Sequence, residues 1–486
     1  MKSGAKRIWA VLLVLVLILL MTLPGCKEDG PVTLRIVTES IGQTEDGWAT
    51  PRGIDQITQL VLAYRKTHEN VDVVLEQIPF SGEARLGKLE QLRTELMAGK
   101  GPDVLILPGG SVLTDMMGMV TEGLIPDVEM AMRNGMFADI SEYYDADTEL
   151  GKESLNTTVM DAGIVDGARY VLPLRYDFPV ACVNMDAFSK TGLSTDIFNG
   201  TVMTFMEAAL QTNDGLADSM QLDPNMLFLE NLLPKAVDYD AQQVLLTKEQ
   251  LINFVQTYWT YFQKCRRVED YPQHAWLGNF GKPELDITEG FWLNSWINMG
   301  YWMCVEPLDR TIHAVARAKS VEAELQMFPL RATDGKLVAD VTVYGAISAG
   351  CKNPEIAYDF LRQLLLEDFQ WERNTEVNTA AAYLAAQGWP VRTKDSVANL
   401  VFSLSKDIPF DISSGRKGLL LSLTDADVPV LTAQIDEVVF PTTWYGSLDN
   451  DIIGMYWGEK NRNETANADA LAEQQLKNLE WHLAES

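Results

Sequence analysis

Between Val32 and Leu107 the chain alternates strand and helix patterns in an order that admits few folds. Val32 to Thr38 is a period-two strand that stops in a loop at Glu39-Ser40-Ile41-Gly42. Ile54, Ile57, Val61 and Tyr64 then recur at helical spacing, and Val71 to Ile78 is a second strand. Two strands joined by a crossover of this length favour parallel pairing. Leu86, Leu89, Leu92, Leu96 and Met97 mark one face of another helix, which glycine and proline stop at Gly99-Lys100-Gly101-Pro102. Asp103 to Leu107 follows as a buried strand and runs into Pro108-Gly109-Gly110, a loop at a strand's carboxyl end, where open α/β sheets place their ligands. The expected fold class is therefore α/β, with sheets flanked by helices.

The N-terminus has the order of an export signal. Lys2, Lys6 and Arg7 precede a charge-free apolar run from Ile8 to Leu20, shorter than the roughly 20 residues that span a bilayer. Leu23-Pro24-Gly25-Cys26 follows and resembles the bacterial lipobox. That resemblance implies a signal peptide over residues 1–25, lipidation (palmitate) of Cys26, and a lipidated tether over 26–31. With at least two acyl chains the anchor is stable. The expected location is the cell membrane, facing the extracellular side, or the periplasm in a cell with an outer membrane.

The 486 residues carry a formal charge of −29, and cleavage before Cys26 would remove three cations and no acid. Such a field repels phosphate backbones, so nucleic acid is not expected as a partner. The length suits two domains rather than one core. Besides Cys26 there are Cys182, Cys265, Cys304 and Cys351, without CxxC spacing and with four histidines in the whole chain, which argues against a structural zinc site. Disulfides and buried free thiols remain equally open for those four. No cofactor or metal is implied. Neither a Gly-x-Ser-x-Gly elbow, a His-Glu-x-x-His motif nor a Walker phosphate loop occurs, so hydrolase, metalloprotease and NTPase readings lack their usual handles.

Several segments share a family's order. Lys88-Leu89 through Thr94-Glu95-Leu96 to Ala98-Gly99-Lys100-Gly101-Pro102-Asp103-Val104 resembles the "KL…TELAAGKGPDV" segment of family 1 extracellular solute-binding proteins. Gly135 to Ile140 is similar to that family's "GlFlDL" turn, Asp166 to Leu174 to its "DGKqYalPl", and Asn184-Met185-Asp186 to its "yNkd". Gly345 to Leu361 is similar to "isagSKnpe.AweFlkfll"; within it Asn353 can cap a helix that starts at Pro354, with Ile356, Phe360, Leu361 and Leu364 on its buried face.

The resemblance implies a two-lobed periplasmic-binding-protein-like fold of class II, each lobe a sheet flanked by helices and joined by hinge crossings. It divides the chain into lobe one, residues 32–174 and 290–343, and lobe two, residues 175–289 and 344–486. Crossings are expected near Leu172 to Asp177, Thr288 to Trp296 and Thr342 to Ala346. The implied activity is solute capture, not catalysis, with delivery to the permease subunits of an ABC transporter. Carbohydrate is the favoured solute, because the family mostly carries sugars and the chain has 12 tryptophans.

Candidate contacts follow from these crossings and from strand ends. Tyr176 and Asp177 fall where the first crossing enters the cleft, although Asp177 would equally cap a turn. Glu39, Gly109 and Gly110 follow strand ends, and Tyr344 lies at the expected third crossing. Trp292 and Trp296 stand four residues apart and share one side of a helix, as a stacking platform or as a core seam. Trp48, Trp444 and Tyr445 sit in loop-like segments, where they either touch solute or cover an edge. Two other functions share these features. A secreted glycoside hydrolase also shows acids and tryptophans, and a sensor or adhesin lipoprotein could keep the same fold.

Overall fold

A computed structural model describes residues 31–39, 52–79, 82–109, 112–114, 120–211, 229–264, 302–308, 324–370, 388–393, 427–442, 444–445, 447–448, 451–452 and 467–485. The chain opens in the predicted element order, with β1 (Val32–Glu39), α1 (Arg52–Thr67), β2 (Val71–Ile78), α2 (Gly82–Met97) and β3 (Val104–Pro108), although Leu86 and Met97 of the expected α2 face are exposed and Arg85, Leu89 and Leu92 are buried. Both β2 and β3 pair with β1 in parallel, Ile36 facing Leu75 on one side and Val104 on the other. Alternation along β1 then sorts side chains to two helical layers. Leu34 and Ile36 pack with Ile57, Val61 and Tyr64 of α1, while Val37 packs with Leu89 and Leu92 of α2. Full burial of each such side chain is worth about 1.5–3 kcal/mol.

After the short helix α3 (Val128–Arg133), the sheet is extended by β4 (Val171–Asp177). The chain then leaves it. Phe178 alone separates β4 from β5 (Pro179–Asn184), the central strand of a second sheet. Helices α4 (Val202–Leu210), α5 (Leu229–Leu232) and α6 (Lys248–Lys264) cover one face of that sheet, which β6 (Met303–Pro307) and β7 (Leu325–Pro329) complete as antiparallel partners of β5. Ala181 and Val183 of β5 point into the core with these helices; Val180 and Cys182 point to the other face, with Leu308, Leu325 and Met327.

The chain returns between Pro329 and Val338 into β8 (Val338–Ile347), which lies between β3 and β4 and is antiparallel to both. Helix α7 (Pro354–Arg362), β9 (Trp389–Pro390) and β10 (Glu437–Val439) also belong to the first lobe, with sheet order β9-β4-β8-β3-β1-β2 and β10 beside the start of β8. The closing helix α8 (Ala468–Glu485) packs on α6 in the second lobe.

This corrects the expected division of the chain. Residues 303–307 and 325–329 join the second sheet and not lobe one, and residues 344–347, 389–390 and 437–439 join the first sheet and not lobe two. Thr342 to Ala346 is no crossing but the middle of β8, and the return lies a few residues earlier. The reason is that a strand's hydrophobic period fixes its faces, whereas its ladder partners decide its sheet. The crossing expected at Thr288 to Trp296 lies outside the described residues. Asn353 does occupy the position before α7, with Pro354 first in the helix, but its side chain makes no capping bond. Instead its backbone N–H reaches the Cys351 thiol, which burial pushes up to about 12. Cys182 and Cys351 are free thiols; Cys182 stands opposite Cys304 in the β5–β6 ladder. Cys265 lies outside the described residues.

Candidate functional site

The two sheets meet where β4 leaves the first and β8 enters it. There the antiparallel register sets Asp177, the last residue of β4, directly across from Asp340 on β8, so both carboxylates lie on one face of the sheet. Asp177 is buried, and one of its oxygens accepts the Phe178 N–H at 2.9 Å. The second lobe reaches this point through α5. Asn231, fully buried, donates its Nδ2 to the Val338 carbonyl at 3.0 Å and to Asp340 Oδ1 at 3.3 Å. Its own Oδ1 is buried without a hydrogen-bond partner among the described residues. Two carboxylates and an amide oxygen thus converge between the lobes. All three are acceptors, the complement of a ligand rich in hydroxyl donors.

Tyr176, one residue earlier in the strand, points to the opposite face, into the first lobe's core with Leu172 and Leu174; it is registered with Val341 and Trp389, and burial pushes its phenol well above its ordinary value. The other strand-end candidates serve the first lobe's own packing. Glu39, on the same side of β1 as Val37, pairs with Arg85 of α2 and accepts the Leu124 N–H at 3.4 Å. Burial raises its carboxyl above the usual range, and Arg85 offsets only part of that. Gly109 lies against β8 so closely that a Cβ would stand 1.5 Å from the Val341 carbonyl oxygen, and its N–H donates to Thr342 at 2.8 Å. Only glycine permits that approach.

Tyr344 is fully buried in the α2-side core, edge-on to Phe137 at 6.4 Å and Phe440 at 5.9 Å. Its hydroxyl has no hydrogen-bond partner among the described residues, and burial, with the nearby Glu39 charge, pushes it well up. Trp444 and Tyr445 occupy helical turns inside the second lobe's core instead of a loop; the Trp444 indole N–H donates to the Gln475 carbonyl at 3.2 Å. Apolar rings of that size are withdrawn wherever a core can take them. Cys26, Trp48, Gly110, Trp292 and Trp296 lie outside the described residues.

Sequence reasoning missed Asp340 and Asn231. The single signal for Asp340 is an acid inside the period-two run Leu337 to Ile347; Asn231, in a four-residue helix, offers none. It also missed the buried knot in which Gln370 donates to the Leu364 and Leu174 carbonyls at 2.7 and 3.2 Å and Arg175 donates to the Gln370 carbonyl at 3.1 Å, tying the segment after α7 to β4.

Residues 50–264 match the sequence model of a family described as bacterial extracellular solute-binding protein. No curated protein matches the chain in sequence. Among solved structures, an extracellular solute-binding protein family 1 from Alicyclobacillus acidocaldarius subsp. acidocaldarius aligns with a TM-score of 0.52 at 14% identity, over 93% of this chain and 99% of that one. The galacto-N-biose-/lacto-N-biose I-binding protein of the ABC transporter from Bifidobacterium longum, in complex with lacto-N-biose, aligns with a TM-score of 0.54 at 14% identity, over 94% and 98%. A periplasmic oligogalacturonide binding protein from Yersinia enterocolitica gives 0.51 at 15% identity, over 93% and 99%. At such identities the likeness is one of fold: two α/β lobes.

Proposed function

We propose that the chain is a bacterial extracellular solute-binding protein, as the match over residues 50–264 supports, and that it closes its two lobes on a carbohydrate and hands it to the permease of an ABC-type importer. The observation that carries this reading is the convergence of Asp177, Asp340 and Asn231 at the strand crossing between the lobes. A ligand that contacts both lobes favours the arrangement in which they are adjacent. Carboxylates and an amide oxygen there accept from sugar hydroxyls, and the sugars named for the structural relatives support the same class of solute. The family is one of binding proteins, so the carboxylates grip and do not transfer protons. Among the described residues no helix is long and apolar enough to cross a membrane; in this proposal Cys26 carries the lipid anchor that holds the chain at the cell surface, and the expected outcome of Cys26→Ser is release from the membrane fraction.

Thermal unfolding against a panel of mono- and oligosaccharides, amino acids and short peptides tests the solute. A ligand at 100 times its Kd stabilises the folded protein by about 2.7 kcal/mol, a shift of several degrees. The expected outcome is a shift confined to certain sugars and lost in Asp177→Asn and Asp340→Asn. A shift with peptides alone, or one that survives both substitutions, excludes this site or this class.

A further inference from the structure

The lobes also meet at a second place, built from none of the crossing residues. Helix α3 packs Val128, Ala131 and Met132 into the first lobe's core, and Met130 against the second. Asp127 caps it, one oxygen accepting the Met130 N–H at 2.9 Å. Its other oxygen turns to the second lobe. It accepts the Tyr239 hydroxyl at 2.5 Å and stands 2.9 Å from His482 Nε2, while the Tyr239 hydroxyl and that nitrogen are 2.7 Å apart. Tyr239 follows the short strand Val237–Asp238, and His482 lies in the last turn of α8, so two distant parts of lobe two converge on one carboxylate. Charged pairs surround it: Glu129 with Lys235 at 3.3 Å, and Arg133 with Asp240 at 2.5 Å and with Glu129 at 3.2 Å. The Arg133 guanidinium also lies over the Tyr239 ring, 5.5 Å from its centre.

We propose that Asp127, Tyr239 and His482 form a latch that holds the lobes in this arrangement in the absence of solute, and so set how tightly solute binds. A rotation of one lobe about the strand crossings cannot preserve side-chain contacts of this length away from the rotation axis, so the latch distinguishes one arrangement from another. The buried trio dominates the surrounding ion pairs, because Asp127 is shielded from water whereas Asp240 and Lys235 are substantially exposed. Loss of one hydroxyl leaves a buried carboxylate short of a donor and shifts the equilibrium roughly tenfold toward the open arrangement.

The inference rests on the reading that the lobes move about a solute, yet its test needs no solute. Small-angle scattering is recorded on the full chain carrying Cys26→Ser, alone and with Tyr239→Phe or His482→Gln, beside circular dichroism and melting profiles. A radius of gyration that rises in both variants while secondary structure is retained is the expected result. Superimposable scattering curves for parent and variants overturn it. Should either core variant fail to fold, the charge reversals Glu129→Lys and Asp240→Lys, placed at the more exposed edge, make the same test with a smaller rise expected. A latch that fails here leaves the sugar panel untouched, and a panel without a hit leaves the scattering result standing.

Discussion

Two buried acids of the first lobe, Glu39 and Asp127, answer burial in opposite ways. Glu39 has one cation, Arg85, from its own lobe, together with a long N–H contact, and burial wins, so its carboxyl is raised. For Asp127 burial pushes up as well, but the bonds from His482, the Met130 N–H and Tyr239 together outweigh it and hold the carboxyl below its ordinary value. The number and aim of donors therefore decide the sign more than depth does. The second difference is where the partners live. Glu39 is tied within one lobe and serves the fold, whereas Asp127 is tied across two and serves their arrangement.

Separating these two roles is the strongest test of the comparison. Arg85→Met leaves Glu39 buried without its cation and should cost about 3–5 kcal/mol, read as a fall in the urea midpoint, with much of the loss restored when Glu39→Gln is added. If the single variant melts like the parent, the pair is not what holds β1 to α2.

Acid should divide the two sites next. A carboxyl held low in the folded protein contributes in full above the ordinary carboxylate range, and that contribution is lost as pH falls through the depressed value. A raised carboxyl does the reverse, contributing fully at low pH and less as pH climbs. Below about pH 4 the Asp127 latch should loosen while the Glu39 site is spared, with Glu129, Arg133, Lys235, Asp240, Tyr239, His482 and Tyr445 as the charged or titratable groups around the latch. Expansion in scattering before any loss of circular dichroism is the expected order; simultaneous loss erases the distinction. The smallest effect is that of Lys235→Ala, a half-exposed partner of Glu129, which should change stability by no more than about 1 kcal/mol and leave the radius of gyration unchanged.

What the sequence made legible follows from the range of each signal. β1, α1, β2, α2 and β3 are written in local periods, and the exit from the first sheet at Asp177 was readable because a strand end beside a resembling segment marks it. Membership of β6, β7 and β8 was not readable, since Val338 to Ile347 has the same alternation whichever sheet receives it. Nor was the latch: Asp127 and His482 lie 112 and 243 positions from Tyr239, and isolated polar residues at such separations leave no pattern. Two of the aromatic candidates lacked a signal for a related reason. Trp444 and Tyr445 occupy a stretch without a period, yet core packing recruited both.

The pairing of β4 with β8 has a mechanical consequence. One strand carries the chain out of the first lobe and the other carries it back, and their ladder persists as far as Asp177 and Asp340, the last pair before the exit. Two straps laced together to the edge bend easily about a line across both but resist being twisted against each other. On the proposed reading that the lobes move, this pair of straps favours bending over twist, and a contact as small as the Tyr239 hydroxyl, made outside the crossings, gains leverage over that bend.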